Sequence, residues 1–312
     1  MAKAKRKTKK ENSKIGVILG VILAVILIIM SVAEKNGFDL SWELKKKLGI
    51  ADECTENLEV HFIDVGQGDC IFTAANGVTM LVDCGEYAVS SDVVSYLRDM
   101  GVKKLDYIVA THPHSDHMGG MARIIDSFDI GEIIIPHIPD EQIPTAVFYD
   151  KFLESCEKKK LQITEAKAGN TLELGRAKAE IVSVDGSSYD ELNNYSVSLL
   201  INNGSNTFLL TGDSESEAEA AMLNSDRLCK VSLYKAGHHG SSQASTREFL
   251  ELIQPQNAVI SCGAENPYGH PSDTALKRLD RYTDKIYRTD LCGSIVFESD
   301  GAKLLVRTER AS

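Results

Sequence analysis

Six consecutive residues, His112-Pro-His-Ser-Asp-His117, hold three imidazoles and a carboxylate between two segments of opposite pattern. Before them, Leu105-Asp-Tyr-Ile-Val-Ala110 is an apolar run of strand length. After them, Met118 to Phe128 carries apolar residues at helical spacing behind Gly119-Gly120. A strand that enters a helix through such a loop predicts an α/β architecture. The loop then lies at the carboxyl end of a sheet, where these proteins place their chemistry. Imidazole nitrogen and carboxylate oxygen are the donors of zinc and manganese sites. His112 and His114 alternate on an extended loop, so both rings can face one ion. Asp116 and His117 can turn to a second as the loop enters the helix.

The surrounding pattern supplies the rest of such a domain. Leu58 to Val65, Asp69 to Ala74 and Val78 to Cys84 read as strands, with Asn76-Gly77 as a hairpin turn. Ser91 to Met100 reads as a helix ended by Gly101. A strand at Glu132 to Pro136 and a helix at Thr145 to Lys160 follow. Strands return at Thr171 to Leu174, Lys178 to Val184, Val197 to Ile201 and Thr207 to Leu210. The last hundred residues alternate helix and strand before two closing strands, Ser294 to Glu298 and Lys303 to Arg307. The order is two strand-then-helix halves, which suggests a four-layer αββα sandwich over residues 58–308. Asp213 follows the apolar strand Thr207 to Leu210 and a glycine, a position from which a carboxylate can bridge two ions. Its alternative role is to cap the helix at Glu215.

Taken together, the motifs carry a resemblance. His-x-His-x-Asp-His resembles the metal motif of the metallo-β-lactamase superfamily. Phe62-Ile-Asp-Val-Gly-Gln-Gly-Asp69, Leu209-Leu-Thr-Gly-Asp213, Gly237-His-His-Gly-Ser241 and Asn266-Pro-Tyr-Gly-His-Pro271 resemble the hydrolase domain of ComEC-type DNA-uptake competence proteins. The multi-span channel of those proteins has no counterpart here. The resemblance implies the same αββα fold and two divalent ions, zinc or manganese, held by His112, His114, Asp116, His117, Asp213 and one histidine of the His238-His239 pair. His238, first off its strand, is the expected ligand. Asp116 and His239 are the expected catalytic groups, one orienting the nucleophile, the other protonating the leaving oxygen. Asp83 would orient a ligating histidine. Ser241, at a helix start, would hold a phosphate oxygen, and His270 would line the cleft. Many superfamily members place a further histidine before the bridging aspartate; here the stretch is Leu192-Asn-Asn-Tyr-Ser196. The first ion would then rest on His112, His114 and Asp213, with Asn194 or Asp64 assisting, and be partly occupied.

Charge divides the chain. Residues 1–14 hold seven Lys or Arg against one Glu, about +6, which leaves about −17 elsewhere in a net charge of −11. Residues 15–33 are uncharged and, at 1.5 Å per residue, long enough as a helix to span roughly 28 Å of bilayer. Basic residues stay on the cytoplasmic side, so the expectation is a cytoplasmic tail (1–14), a single-pass anchor (15–33), a spacer (34–57) and an extracytoplasmic hydrolase domain. Ser31-Val-Ala33 also has the form of a signal cleavage site, which would release the domain. The implied substrate is a phosphodiester, with DNA as the resemblance's suggestion. The acidic domain lacks the basic footprint of a tight DNA binder. An envelope phosphodiesterase acting on phosphocholine or teichoic-type esters therefore stands beside it, as does a non-catalytic metal-binding competence module. Seven cysteines without Cys-x-x-Cys spacing read as buried free thiols.

Overall fold

The computed structural model describes residues 57–183 and 188–310. The expected tail, membrane anchor and nearly all of the spacer lie outside the described residues. Among those described, no helix is long and apolar enough to cross a membrane.

Two mixed sheets form the centre. The first has eight strands in the order β15-β14-β1-β2-β3-β4-β5-β6, with β1 Leu58–Phe62, β2 Ile71–Ala75, β3 Val78–Val82, β4 Lys104–Val109, β5 Asp129–Ile135, β6 Ile163–Glu165, β14 Ile295–Ser299 and β15 Leu304–Thr308. The second has seven in the order β13-β12-β11-β10-β9-β8-β7, with β7 Thr171–Leu174, β8 Ala177–Ile181, β9 Leu199–Asn203, β10 Asn206–Leu210, β11 Leu233–Lys235, β12 Ala258–Ile260 and β13 Ile286–Arg288. In each sheet four strands run parallel, β3 to β6 and β10 to β13. Parallel neighbours need crossovers, and helices supply most of them: α1 Ser90–Asp99, α2 Ser115–Met118, α3 Met121–Ser127 and α4 Val147–Lys159 in the first half, α5 Ser216–Leu223, α6 Arg247–Ile253 and α7 Asp273–Leu279 in the second.

Strand periodicity sorts the core into layers. Val60, Phe62, Met80 and Val82 meet Leu199, Ile201, Phe208 and Leu210 between the sheets. The alternate residues Phe72, Leu81 and Ile108 pack on α1, α3 and α4 through Val93, Leu97, Ile124 and Phe152. Leu200, Leu209 and Tyr234 pack on the helices of the second sheet through Met222, Phe249 and Leu279. The β2–β3 hairpin turns at Asn76 and Gly77, both at positive φ (49° and 81°), as a tight two-residue turn requires. One expectation changes. The chain does not close as two separate halves: after the second sheet is complete, β14 and β15 return to the first. β14 pairs antiparallel with β1, and Phe297 meets Phe62 edge-on at 6.2 Å. The expected helix Met118 to Phe128 is also split between α2 and α3, where Gly120 N–H donates to the Gly85 carbonyl (3.0 Å).

Among the described residues the cysteines are free; five are buried and Cys229 is exposed. A short helix, α8 Thr289–Cys292, links β13 to β14.

Candidate functional site

Loops leaving the carboxyl ends of β3, β4, β10 and β11 converge at one edge of the two sheets, each delivering side chains. Asp116, His117, Asp213 and His239 each present one ligand atom, and these atoms all lie within 4.8 Å of one another. His117 Nε2 is 3.1 Å from Asp213 Oδ2; His239 Nε2 is 3.2 Å from the same oxygen and 3.3 Å from Asp116 Oδ2. Both Nε2 atoms are buried and neither makes a well-formed hydrogen bond. Two buried imidazole nitrogens aimed at shared carboxylate oxygens suit a cation at the common point.

The remaining ring nitrogens are committed in ways that leave Nε2 free. His117 Nδ1 lies 2.7 Å from Asp83 Oδ2, and His239 Nδ1–H donates to the Ser261 carbonyl (2.9 Å). Asp83 is itself held by Thr111, which donates its amide to Oδ1 (2.8 Å) and its hydroxyl to Oδ2 (2.6 Å). Such partners fix tautomer and ring orientation in metal sites. Backbone strain accompanies them. Asp83, His238 and His239 all sit in the left-handed region, at φ 56°, 44° and 52°, a conformation that costs a non-glycine residue roughly 1–2 kcal/mol. The Tyr234 hydroxyl, accepting Gly237 N–H at 3.0 Å, and the Ser241 amide, donating to His238 O at 2.8 Å, hold the strained turn. Gly68, at φ 129°, lets the β1–β2 loop press on the motif, for a Cβ there would collide with the Asp116 carbonyl.

The electrostatics call for positive charge. Burial opposes protonation of His239, but Asp213 and Asp116 outweigh it and lift the imidazole to about 9. Burial likewise opposes charge on His117, yet Asp213 and Asp83 raise it well above its usual value. Burial opposes ionisation of Asp116, but the close approach of the His239 imidazole and the charge of His117 hold its carboxyl well below the usual range. Without a cation, protons take its place.

A fully buried lysine completes this charge set, and the sequence reading missed it. Lys235 Nζ pairs with Asp69 Oδ2 at 2.6 Å, donates to the Gly212 carbonyl at 2.8 Å and stands 3.5 Å from Asp213 Oδ1. Burial disfavours its charge, but Asp69 and Asp213 more than restore it. A second compact group of possible donors, Asp69, Asp83 and His117, therefore has its charge met internally by this ammonium. Its sequence signal was a lone lysine in the otherwise uncharged stretch Val231-Ser-Leu-Tyr-Lys-Ala236, three positions before the histidine pair.

His112 and His114 form a facing pair beside the cluster, the His112 ring 4.2 Å from that of His117. His112 Nε2 faces His114 Nδ1 at 2.9 Å, while His112 Nδ1 lies 3.1 Å from Thr111 Oγ1 and 3.3 Å from Ser196 Oγ. Among the described residues, no third imidazole, thiol or carboxylate closes a compact group with them. Ser196 also accepts the Asp213 amide at 3.0 Å, so a short hydroxyl ties the pair to the shared aspartate.

Several expectations change here. His239, not His238, joins the donor cluster; His238 turns outward, 24% exposed, with Nδ1 2.6 Å from Glu215 Oε1 and Nε2 3.9 Å from Asp213. The reason is the left-handed turn, which sends adjacent rings apart. Asn194 does not assist an ion: its Oδ1 accepts the amides of Glu215 (3.0 Å) and Ala218 (3.3 Å) at the start of α5. Asp64 does not either: it accepts Gly66 N–H and pairs with Arg310 at 3.0 Å. Ser241 is buried, with its amide given to His238 and its hydroxyl accepting Gln243 N–H, and α6 starts only at Arg247. Its place is therefore within the histidine turn rather than at a helix start. His270 stands beside His238, ring centroids 5.2 Å apart.

Comparison with known proteins identifies the family and the fold. The family profile described as "Metallo-beta-lactamase superfamily" matches residues 63–264. The chain is 29% identical to ComE operon protein 3 of Bacillus subtilis over 257 residues, 77% of this chain and 33% of that protein. It is 28% identical to competence protein ComA of Neisseria gonorrhoeae, over 75% of this chain and 31% of that one. The chain thus spans about a third of the length of these curated relatives. Among solved structures, the metallo-beta-lactamase fold protein YhfI of Bacillus subtilis aligns with a TM-score of 0.51 at 13% identity, covering 78% of this chain and 100% of that one.

Proposed function

The chain belongs to the metallo-beta-lactamase superfamily, and from that premise we propose that it is a membrane-anchored, metal-dependent phosphodiesterase that cuts nucleic acid outside the cytoplasm, in a competence-like role. The observation that carries this reading is the buried convergence of His117 and His239 Nε2 on the oxygens of Asp116 and Asp213. These four residues would hold a divalent ion, zinc or manganese; the His112–His114 pair would hold a second more weakly. A divalent ion there supplies Lewis acidity at a phosphoryl oxygen and a water acidified to act near neutral pH.

The chain's own groups do the rest. Asp83 and the Ser261 carbonyl keep both Nε2 lone pairs directed inward. Asp116, one-quarter exposed at the mouth, is placed to accept a hydrogen bond from the attacking water and orient it. His238 takes the proton-donor role: its Nδ1 is held by Glu215 at 2.6 Å, while Nε2 has the Asn193 amide nitrogen beside it at 3.5 Å and would protonate a leaving oxygen. The name of one relative, competence protein ComA, refers to competence and, with the sequence resemblance, supports the nucleic-acid substrate. The acidic domain favours a second reading, an envelope phosphodiesterase acting on phosphocholine or teichoic-type esters. A non-catalytic module has less support, because the strained, fully oriented donor cluster exceeds what a scaffold needs.

The test uses the full-length protein in mild detergent, stripped with chelator and reloaded with zinc or manganese. Substrates are single- and double-stranded DNA, a phosphocholine diester, bis-p-nitrophenyl phosphate and nitrocefin. Metal-dependent cleavage of DNA supports the reading. Cleavage of the phosphocholine ester alone selects the second reading, and turnover of nitrocefin without any diester cleavage overturns both. For topology, protease added to protoplasts should digest the domain; full protection beside an intact cytoplasmic control refutes the outward orientation.

A further inference from the structure

The donor cluster is not the end of its line of rings. From His239 the ring of His238 lies 5.9 Å away, that of His270 a further 5.2 Å, and that of Tyr268 5.9 Å beyond, nearly parallel to His270 at 27°. Exposure rises along the series, from the buried His239 to Tyr268, which is 68% exposed. The last two rings sit on a loop held by several hydrogen bonds. Asn266 receives the His270 amide at 3.0 Å and donates to the Gly263 and His270 carbonyls. Ser272 donates both its amide (2.9 Å) and its hydroxyl (3.2 Å) to the Gly240 carbonyl, which joins this loop to the histidine turn. Gly240, at φ 78°, allows that contact, since a Cβ would run into Pro271.

We infer that Tyr268 and His270 form a stacking platform for a base of a single-stranded nucleic acid whose phosphodiester lies at the donor cluster. The inference rests on the phosphodiesterase reading and names how its substrate is held. An exposed aromatic ring on an anchored loop has lost little of its freedom to a ligand, because the fold has already ordered it. Stacking suits this chain particularly. With about −17 on residues 34–312, phosphate neutralisation by a basic groove contributes little, whereas base–aromatic stacking needs no net charge and tolerates any sequence. His270 presents a neutral face for this, as burial and the neighbouring histidines lower its imidazole to about 4.

The experiment compares a single-stranded oligothymidylate with an abasic strand of equal length and charge, using the full-length metal-loaded protein. In the wild type, KM on the abasic strand should be about ten-fold higher. Tyr268→Ala should bring the KM ratio to about one by raising KM on the thymidylate, and Tyr268→Phe should retain it. Because Tyr268 is mostly exposed, the change should leave the melting temperature unaltered. Equal KM on both strands in the wild type, or an undiminished ratio in Tyr268→Ala, overturns the platform and leaves the phosphodiesterase reading standing. A fall in kcat alone on both strands also overturns it, as that marks a disturbed site. A wild type that cuts neither strand overturns the platform and the nucleic-acid reading together.

Discussion

The six-residue motif splits in two once folded. Its second half, Asp116 and His117, joins Asp213 and His239 in a four-donor cluster with every imidazole oriented. Its first half, His112 and His114, makes a facing pair 2.9 Å apart that no third strong donor completes among the described residues. The residue types are the same in both halves, so ligand identity alone does not make a site. The cluster has a long-range aspartate with Lys235 behind it, plus oriented rings; the pair has hydroxyls, Thr111 and Ser196, which accept from a ring but do not complete a charge-balanced cage. The lesson is that occupancy should follow the supporting layer rather than the count of histidines.

The largest effect should come from that layer. Lys235→Met leaves Asp69 buried without its closest counter-ion, and breaking such a pair costs about 3–5 kcal/mol. Urea unfolding of the metal-free protein measures it; a loss below 1 kcal/mol would remove Lys235 from the account. Next come the donors. Asp213→Ala and His239→Ala should lose the tightly bound ion and about two decades or more of kcat/KM, while His112→Ala keeps the tight ion. Elemental analysis decides, and equal metal loss in all three would erase the contrast between the halves.

Asp83→Asn keeps the shape but weakens the hold on His117, and metal affinity should fall about ten- to a hundred-fold. The pH dependence has a definite sign. His239 is raised to about 9 in the folded protein, above the unfolded value of about 6.5. Its contribution to the metal-free fold is therefore fully present below about 6.5 and is lost as pH rises through about 9. Melting temperature of the stripped protein should fall across that window. Over the same range metal affinity should rise, because binding displaces protons. A flat profile for both would contradict the charge balance drawn for the cluster. The smallest effect belongs to His238→Ala, which should lose little on nitrophenyl esters, whose leaving groups need no proton, and more on DNA. Metal loss in this variant would restore His238 as the ligand.

Local pattern made much of this protein legible in advance. The strand–loop–helix unit around His112 to His117, the hairpin at Asn76-Gly77 and most strands and helices follow from periodicity and turn chemistry, which act within a few residues. Asp213 was visible because it follows a strand, and Asp83 through the family resemblance. What the sequence left open depends on pairing across long separations. Neighbouring histidines 238 and 239 look alike in sequence. Which one turns inward is set by a strained turn docked on β10 and β12, where the Ser261 carbonyl waits for one ring and Glu215 for the other. Lys235 gains its role only when Gly212 and Asp69, from β10's exit and the β1–β2 loop, meet its ammonium. Asn194 looks like a ligand until α5 takes its oxygen. The closing hairpin, too, joins the first sheet because β1 offers it an open edge and Phe62 an apolar surface. Composition and spacing determined which donors this chain carries; the tertiary structure decided which of them converge, because convergence is a property of strand order and burial that no single segment holds.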